Sequence, residues 1–483
     1  MKKLLLFFCV IPISLTAQNG WMQTYFTNST CYDNGRPSSG AGCNTLDGGY
    51  ALTGGVNSNL FLVKTNSQGD TIWTKQYPKH GQGFGIEQTM DGGFIIGATT
   101  VDTSLFIGQD IYSEVIRTNN LGDTIWTKQI SSDTTRVTLN DFTIINDGIL
   151  FTGNYVWKDN TSNWRKDIII LKTDTLGNEL WRKIYGKNNY ACSYCDHETS
   201  YAIISDLNGH SYVSGSRDFY TTSGTYESSG WLLKINQLGD TIWTRQFGGE
   251  GALYGLKLLN DGNIVAVGES QSFGSGVSSI FITKINSGGS EMWFNTISDY
   301  AMFGFSVDTT YDGGYIILGE TEKPPYYETN AILIKTDNSG NVVWEHEYGL
   351  DYESDKGYGL IYSTLNEIIF WGNTKSFGTS GTRELWLVKT DSNGIVSTNR
   401  IEEDTDIILF PNPANSIVTL NLAHHSNGKI IITDILGREV LSKSFTSNEV
   451  QLYLKSLESK GTYFAKVLDS DGNVIAIKKL IYQ

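Results

Sequence analysis

A chain of 483 residues carrying 36 Lys and Arg against 51 Asp and Glu has a formal charge of −15, too acidic for a nucleic-acid partner and too long for a single core. With 39% hydrophobic residues it can bury substantial cores, yet beyond its first residues no run approaches the roughly 18 apolar residues of a membrane-spanning helix, so no transmembrane segment is expected.

The chain begins as a secretory signal peptide, with Lys2 and Lys3, an apolar core from Leu4 to Leu15 and a small-residue exit at Thr16-Ala17. Cleavage after Ala17 makes residues 1–17 the leader and moves the charge from −15 to −17. Cys9 lacks the small residues before it that lipid attachment requires. Four cysteines remain, Cys31, Cys43, Cys192 and Cys195, and in an oxidising compartment they are expected to form two local disulfides. A metal or redox site at Cys192-Ser-Tyr-Cys195-Asp-His197 is the alternative, and it lacks a fourth ligand nearby.

Internal repetition dominates the chain beyond the leader. GDTIWT occurs verbatim at Gly69, Gly122 and Gly239, and looser copies keep one grammar: an apolar run, Lys or Arg, then Gly and, four residues later, Trp. The Trp positions are 73, 126, 181, 243, 293 and 344, and a seventh copy, Leu387-Val388-Lys389 through Gly394, stops without its Trp. Upstream of each copy stands a turn and an apolar run closed by Gly, as in DGGYALTG at Asp47 and DGGYIILG at Asp312. Each unit of about 50 residues thus offers four short strands, the content of a propeller blade.

The missing strand of the seventh unit is supplied from the other end: Trp21-Met-Gln-Thr-Tyr25 matches Trp73-Thr-Lys-Gln-Tyr77. Closing the array in this way removes exposed sheet edges. The expected fold over residues 18–400 is therefore all-β, a seven-bladed β-propeller closed by the N-terminal strand. The units resemble bacterial β-propeller repeats of exported proteins and, in their GxxxW strand, the quinoprotein repeat. A sialidase-type Asp box is excluded by spacing, since Asp174 to Gly177 is three residues and Gly177 to Trp181 four.

Composition shifts at the acidic stretch 401–406, read as a linker. Residues 407–483 then give alternating runs at Ile417–Leu422, Lys429–Thr433, Gln451–Leu454, Tyr463–Leu468 and Val474–Lys478, the pattern of a small Ig-like antiparallel β-sandwich. Phe410-Pro411-Asn412-Pro413-Ala414, Asp434-Ile-Leu-Gly437-Arg438, Gly461-Thr-Tyr463 and Lys478-Lys479-Leu-Ile481 in that order resemble the type A sorting domain of the type IX secretion system. The resemblance implies as partners the translocon and its sorting peptidase, export through the periplasm, and a final place in the medium or on the outer face of the outer membrane.

Antiparallel order puts the tight first-to-second and third-to-fourth turns at one end of each unit and the long connections at the other, where function should concentrate. Aromatic residues populate those long connections: Trp157, Trp164, Tyr220, Tyr226, Tyr326 and Tyr327 are the candidate ligand-binding residues, for stacking on a glycan or gripping a protein loop. No catalytic constellation, metal site or cofactor motif is found. The leading reading is a non-enzymatic surface or secreted binding protein. The alternative is a polysaccharide hydrolase or lyase with carboxylates such as Glu269 and Glu320 at the channel mouth.

Overall fold

The computed structural model describes the chain except residues 1–19, 26–40, 57–58, 103–109, 131–135, 159–163, 187–196, 221–225, 274–277, 299, 324–327, 351, 379–382, 397–406, 423–424, 434–438, 458 and 471–473. Two compact units are present, Met1–Val396 and Ser397–Gln483. The protein is all-β, and among the described residues no helix is long and apolar enough to cross a membrane. The leader 1–17, the linker 401–406, Cys31, Cys192, Cys195, Tyr326, Tyr327 and Gly437 lie outside the described residues.

In the larger unit each repeat folds as an antiparallel four-stranded meander. The sixth is representative: Ala301–Thr309, Tyr315–Glu322, Thr329–Thr336 and Val342–Tyr348 pair in chain order. Its middle strands are continuous apolar runs, with every residue from Tyr315 to Leu318 and from Ala331 to Ile334 at most 2% exposed. Runs of this kind need cover on both faces, and neighbouring repeats give it. The fourth strand alternates between exposed and covered positions.

The strand Trp21–Tyr25 pairs antiparallel with Glu384–Thr390 in the seventh repeat, Trp21 opposite Lys389 and Tyr25 opposite Leu385. Hydrogen bonding does not divide the repeats into seven separate sheets, in contrast to the sequence-based expectation. Thr71–Gln88 runs 18 residues without a turn and fuses the first two repeats into a seven-stranded sheet, because its two halves pair with different partners, Asn59–Thr65 and Phe94–Asp102. A single parallel pairing of Lys166 with His197 joins the third repeat to the fourth.

Two contacts recur from repeat to repeat. Each repeat Trp lies against the turn glycine of the following copy rather than of its own: Trp73 on Gly122, Trp126 on Gly177, and so on to Trp344 on Gly394. Trp21 takes the same position on Gly69 in the first repeat. Gly122 has φ +78°, and a Cβ there would stand 2.9 Å from the Trp73 ring, so both backbone conformation and space require glycine. Below the ring, Tyr25, Tyr77, Tyr185 and Tyr348 donate hydroxyl hydrogen bonds of 2.5–2.8 Å to the carbonyls of Gly69, Gly122, Gly239 and Gly394.

The second contact is an ion pair. The cation ending the third strand reaches under the neighbouring hairpin to the turn aspartate: Lys64–Asp47 at 2.8 Å, Arg117–Asp91 at 2.6 Å, Lys172–Asp147 at 2.7 Å and Lys335–Asp312 at 2.9 Å. The hydroxyl of Thr310 and the ammonium of Lys335 hold the Asp312 carboxyl down at about 2.

The smaller unit consists of two antiparallel sheets. One has the strands Ile408–Phe410, Ile417–Asn421 and Glu449–Tyr453; the other has Glu439–Phe445, Gly428–Thr433, Gly461–Leu468 and Val474–Tyr482. Alternate side chains of both, among them Val418, Leu420, Ile430, Ile432 and Val467, close one apolar core with no measurable exposure.

Candidate ligand-binding site

The first strand of every repeat contributes to the wall of one cavity of about 370 Å3 in the larger unit. The strands are shaped for it by a β-bulge repeated at the same place. Register shifts leave one extra residue at Phe84, Asn140, Tyr201, Tyr254, Phe305 and Tyr358, and all six line the cavity. A bulge re-aims its side chain and tightens the twist, and here it brings five large rings and Asn140 to the cavity. Tyr201 and Tyr254 meet edge to face at 4.8 Å, and Tyr254 and Phe305 at 5.4 Å. Each bulged residue stands eight positions before the positive-φ residue of the turn that follows, often beside glycine, as in Gly83-Phe84-Gly85 and Gly357-Tyr358-Gly359. Sequence reasoning missed these six residues, although that spacing marks them.

Carboxylates stitch neighbouring first strands together, two of them, Glu87 and Asp141, on this wall. Glu87 accepts the amide of Ile144 at 3.3 Å, Asp141 that of Ile203 at 2.9 Å, and Asp308 that of Tyr362 at 3.1 Å. Each bond runs from one repeat to the next. Glu87 and Asp141 line the cavity and are half-buried there. Burial, aided by the Asp141 charge, lifts Glu87 to about 7, and burial alone lifts Asp141 to about 7. Cys43, on the same wall, carries a free thiol, which burial and then the Glu87 charge push up to about 12.

The carboxylates singled out from the sequence do not line this cavity. Glu269 accepts the hydroxyl of Tyr254 at 2.7 Å, and Glu320 is 6% exposed with Lys356 at 3.7 Å. Both lie within the second strands, where they are committed to neighbours in the sheet.

At the end of the third repeat away from the tight turns, the expected Trp157 and Trp164 fall on opposite faces of one hairpin. Lys158 stands opposite Trp164, and Trp157 opposite Arg165. Trp157 donates its indole N–H to Asp167 at 2.7 Å. Trp164 is half exposed, and among the described tryptophans it is the one that is. The strands Ser211–Tyr220 and Tyr226–Ile235 end at the expected Tyr220 and Tyr226, which are paired across the hairpin.

In the smaller unit the Pro411-Asn412-Pro413 turn is tied to the last strand. The Asn412 side-chain amide donates to the carbonyl of Lys479 at 2.7 Å and accepts the amide of Ile481 at 2.8 Å, so it mimics a paired strand. Ala414 continues the contact, donating to Ile481 at 2.8 Å. Tyr463 is buried and donates its hydroxyl to the carbonyl of Ser459 at 2.6 Å, while Lys479 is exposed beside half-buried Lys478.

These features define an all-β, repeat-built protein with a separate two-sheet unit behind it. Residues 408–483 match the family described as the secretion system C-terminal sorting domain. The smaller unit is thus a type IX sorting domain, and the protein is exported, to be secreted or held at the outer-membrane surface. A curated relative, an endo-acting ulvan lyase of Formosa agariphila, is 24% identical over 171 residues, 35% of this chain and 31% of that one, so the match spans about a third of the relative's length. Among solved structures, the Pan2 WD40 domain of Neurospora crassa covers 79% of this chain and 97% of its own, with 13% identity and a TM-score of 0.48. A Trypanosoma rangeli sialidase in complex with sialic acid covers 96% and 88%, with 11% identity and a TM-score of 0.37. Likeness at that depth carries neither activity nor ligand to this chain.

Proposed function

We propose that residues 18–400 form a closed seven-bladed β-propeller, that residues 1–17 are a cleaved signal peptide, and that residues 407–483, behind a 401–406 linker, are an Ig-like sandwich read by the type IX translocon and its sorting peptidase. Closure is supported by the pairing of Trp21–Tyr25 with Glu384–Thr390 and by Trp21 resting on the first-repeat Gly69 as every later Trp rests on its successor's turn. The delivered propeller binds a glycan without turning it over. The observation that carries this reading is Trp164: a half-exposed indole at the loop end of a protein whose other described tryptophans are covered. An exposed ring held on a strand offers a flat, low-entropy platform for a sugar face. Trp164→Ala should abolish glycan-array binding by the exported chain while leaving its thermal unfolding unchanged, and array binding that survives the substitution would sink the reading.

A hydrolase or lyase is the second reading, favoured by the partial likeness to a polysaccharide lyase and by two carboxyls near 7 in a ring-lined cavity. Glu87 and Asp141 then replace Glu269 and Glu320 as the acid–base candidates. Turnover on a polysaccharide panel, lost on Glu87→Gln, would promote it.

A further inference from the structure

We infer that the Trp164 surface takes polyanionic glycans, chains that carry carboxylate or sulfate groups; this rests on the glycan-binding reading above and names its ligand class. The strand register supplies the first argument. Arg136 lies opposite Val156, Val156 opposite Lys166, and Lys158 opposite Trp164. Partners across an antiparallel pair share a face, and so do residues two apart along a strand. Arg136, Lys158, Lys166 and Trp164 therefore all stand on one face of the sheet end. The other face receives Trp157, Arg165 and Asp167, so the one nearby strand carboxylate points away from the cluster.

Distances supply the second argument. The Lys158 ammonium is 4.7 Å from the centre of the Trp164 ring and the Arg136 guanidinium carbon 5.5 Å. Both cations are exposed, and neither has a carboxylate partner among the described residues. Elsewhere in the larger unit the strand-end cations sit over turn aspartates. Holding two exposed cations against one ring in a chain of net charge −15 is the reverse of that pattern. An exposed cation–ring contact is weak, so either cation can turn from the indole to meet an anion. A uronate or sulfated sugar satisfies the whole group: its ring face lies on Trp164 and its charges on Arg136 and Lys158, with the guanidinium offering a two-pronged contact. Long-range charge opposes such a ligand, so capture needs a local site of this kind.

The test uses charged and neutral partners of the same backbone: polygalacturonate against its methyl ester, and dextran sulfate against dextran. The exported full chain is expected to bind at least one charged member and not its neutral counterpart, and the better of the two identifies carboxylate or sulfate. Arg136→Ser with Lys158→Ser should weaken that binding at least tenfold with Trp164 intact, and Trp164→Ala should weaken it comparably. Equal binding of charged and neutral partners, unchanged by the double substitution, overturns the charge selection and leaves glycan binding standing. Polyanion binding that ignores all three substitutions overturns the site, and no binding to any of the four chains overturns the polyanion inference, the glycan array alone deciding the reading above.

Discussion

At the scale of single residues the fold holds two sets of carboxyls in opposite electrostatic settings, and their effects on stability separate along the pH axis. Asp91 and Asp312 are held near 2 by hydroxyl and cation partners, so the stability they lend is present above their ordinary range near 4 and is lost as pH falls toward 2. Glu87 and Asp141 are raised to about 7, so the folded state binds more protons than the unfolded chain between about 4 and 7. Stability must then decline as pH rises through that window and level off above it. Asp141→Asn keeps a side-chain oxygen for the Ile203 amide and removes the titration. It should raise the melting temperature at pH 8, flatten the decline between pH 5 and 8, and be worth on the order of 1–3 kcal/mol there. Melts at pH 5 and pH 8 that shift by the same amount in variant and parent would refute the assignment. Neither set is legible in the sequence. The turn aspartates and strand-end cations are visible there as repeated letters, but pairing them requires the hairpin geometry. Glu87 and Asp141 sit in positions that no motif marks.

At the scale of strands and turns the sequence is far more explicit, because the repeats fix where each strand begins and ends. GDTIWT and DGG state their own hairpins: glycine is required at φ near +80°, and the apolar run between them needs cover on both sides. What repetition cannot state is that the repeat Trp reaches forward to its neighbour, or that the residue its spacing marks ahead of each turn is turned into a shared cavity. Both arise from packing between units that are remote in the chain. The forward reach makes the strand Trp21–Tyr25 structurally important beyond its five residues. It pairs with Glu384–Thr390, covers the first-repeat turn through Trp21, and caps that turn with the Tyr25 hydroxyl. Trp21→Ala with Tyr25→Phe should therefore lower stability by about 3–5 kcal/mol, and the loosened edge of Glu384–Thr390 should promote aggregation. Cooperative unfolding at an unchanged denaturant midpoint would show that this strand is dispensable.

For the molecule as a whole, the decisive property is that the larger and smaller units have cores of their own, so loss of one need not unfold the other. The sorting motifs lie scattered over some 70 residues of sequence, yet the structure ties two of them into a single feature, with the Asn412 amide bonded on both sides to the strand carrying Lys479 and Ile481. A receptor that reads this feature reads a folded shape, not a linear tag. The larger unit, with buried side chains on every middle strand gathered into core clusters of its own, should fold after residues 407–483 are removed. Deleting 407–483 is then expected to leave a folded, protease-resistant larger unit stranded in the periplasm. Substituting Asn412→Ala, which removes two hydrogen bonds worth about 1 kcal/mol each, should reduce export only in part. Fractionation with a periplasmic marker checks both, and a truncated chain recovered outside the cell at parental levels would mean that the address lies in the larger unit instead.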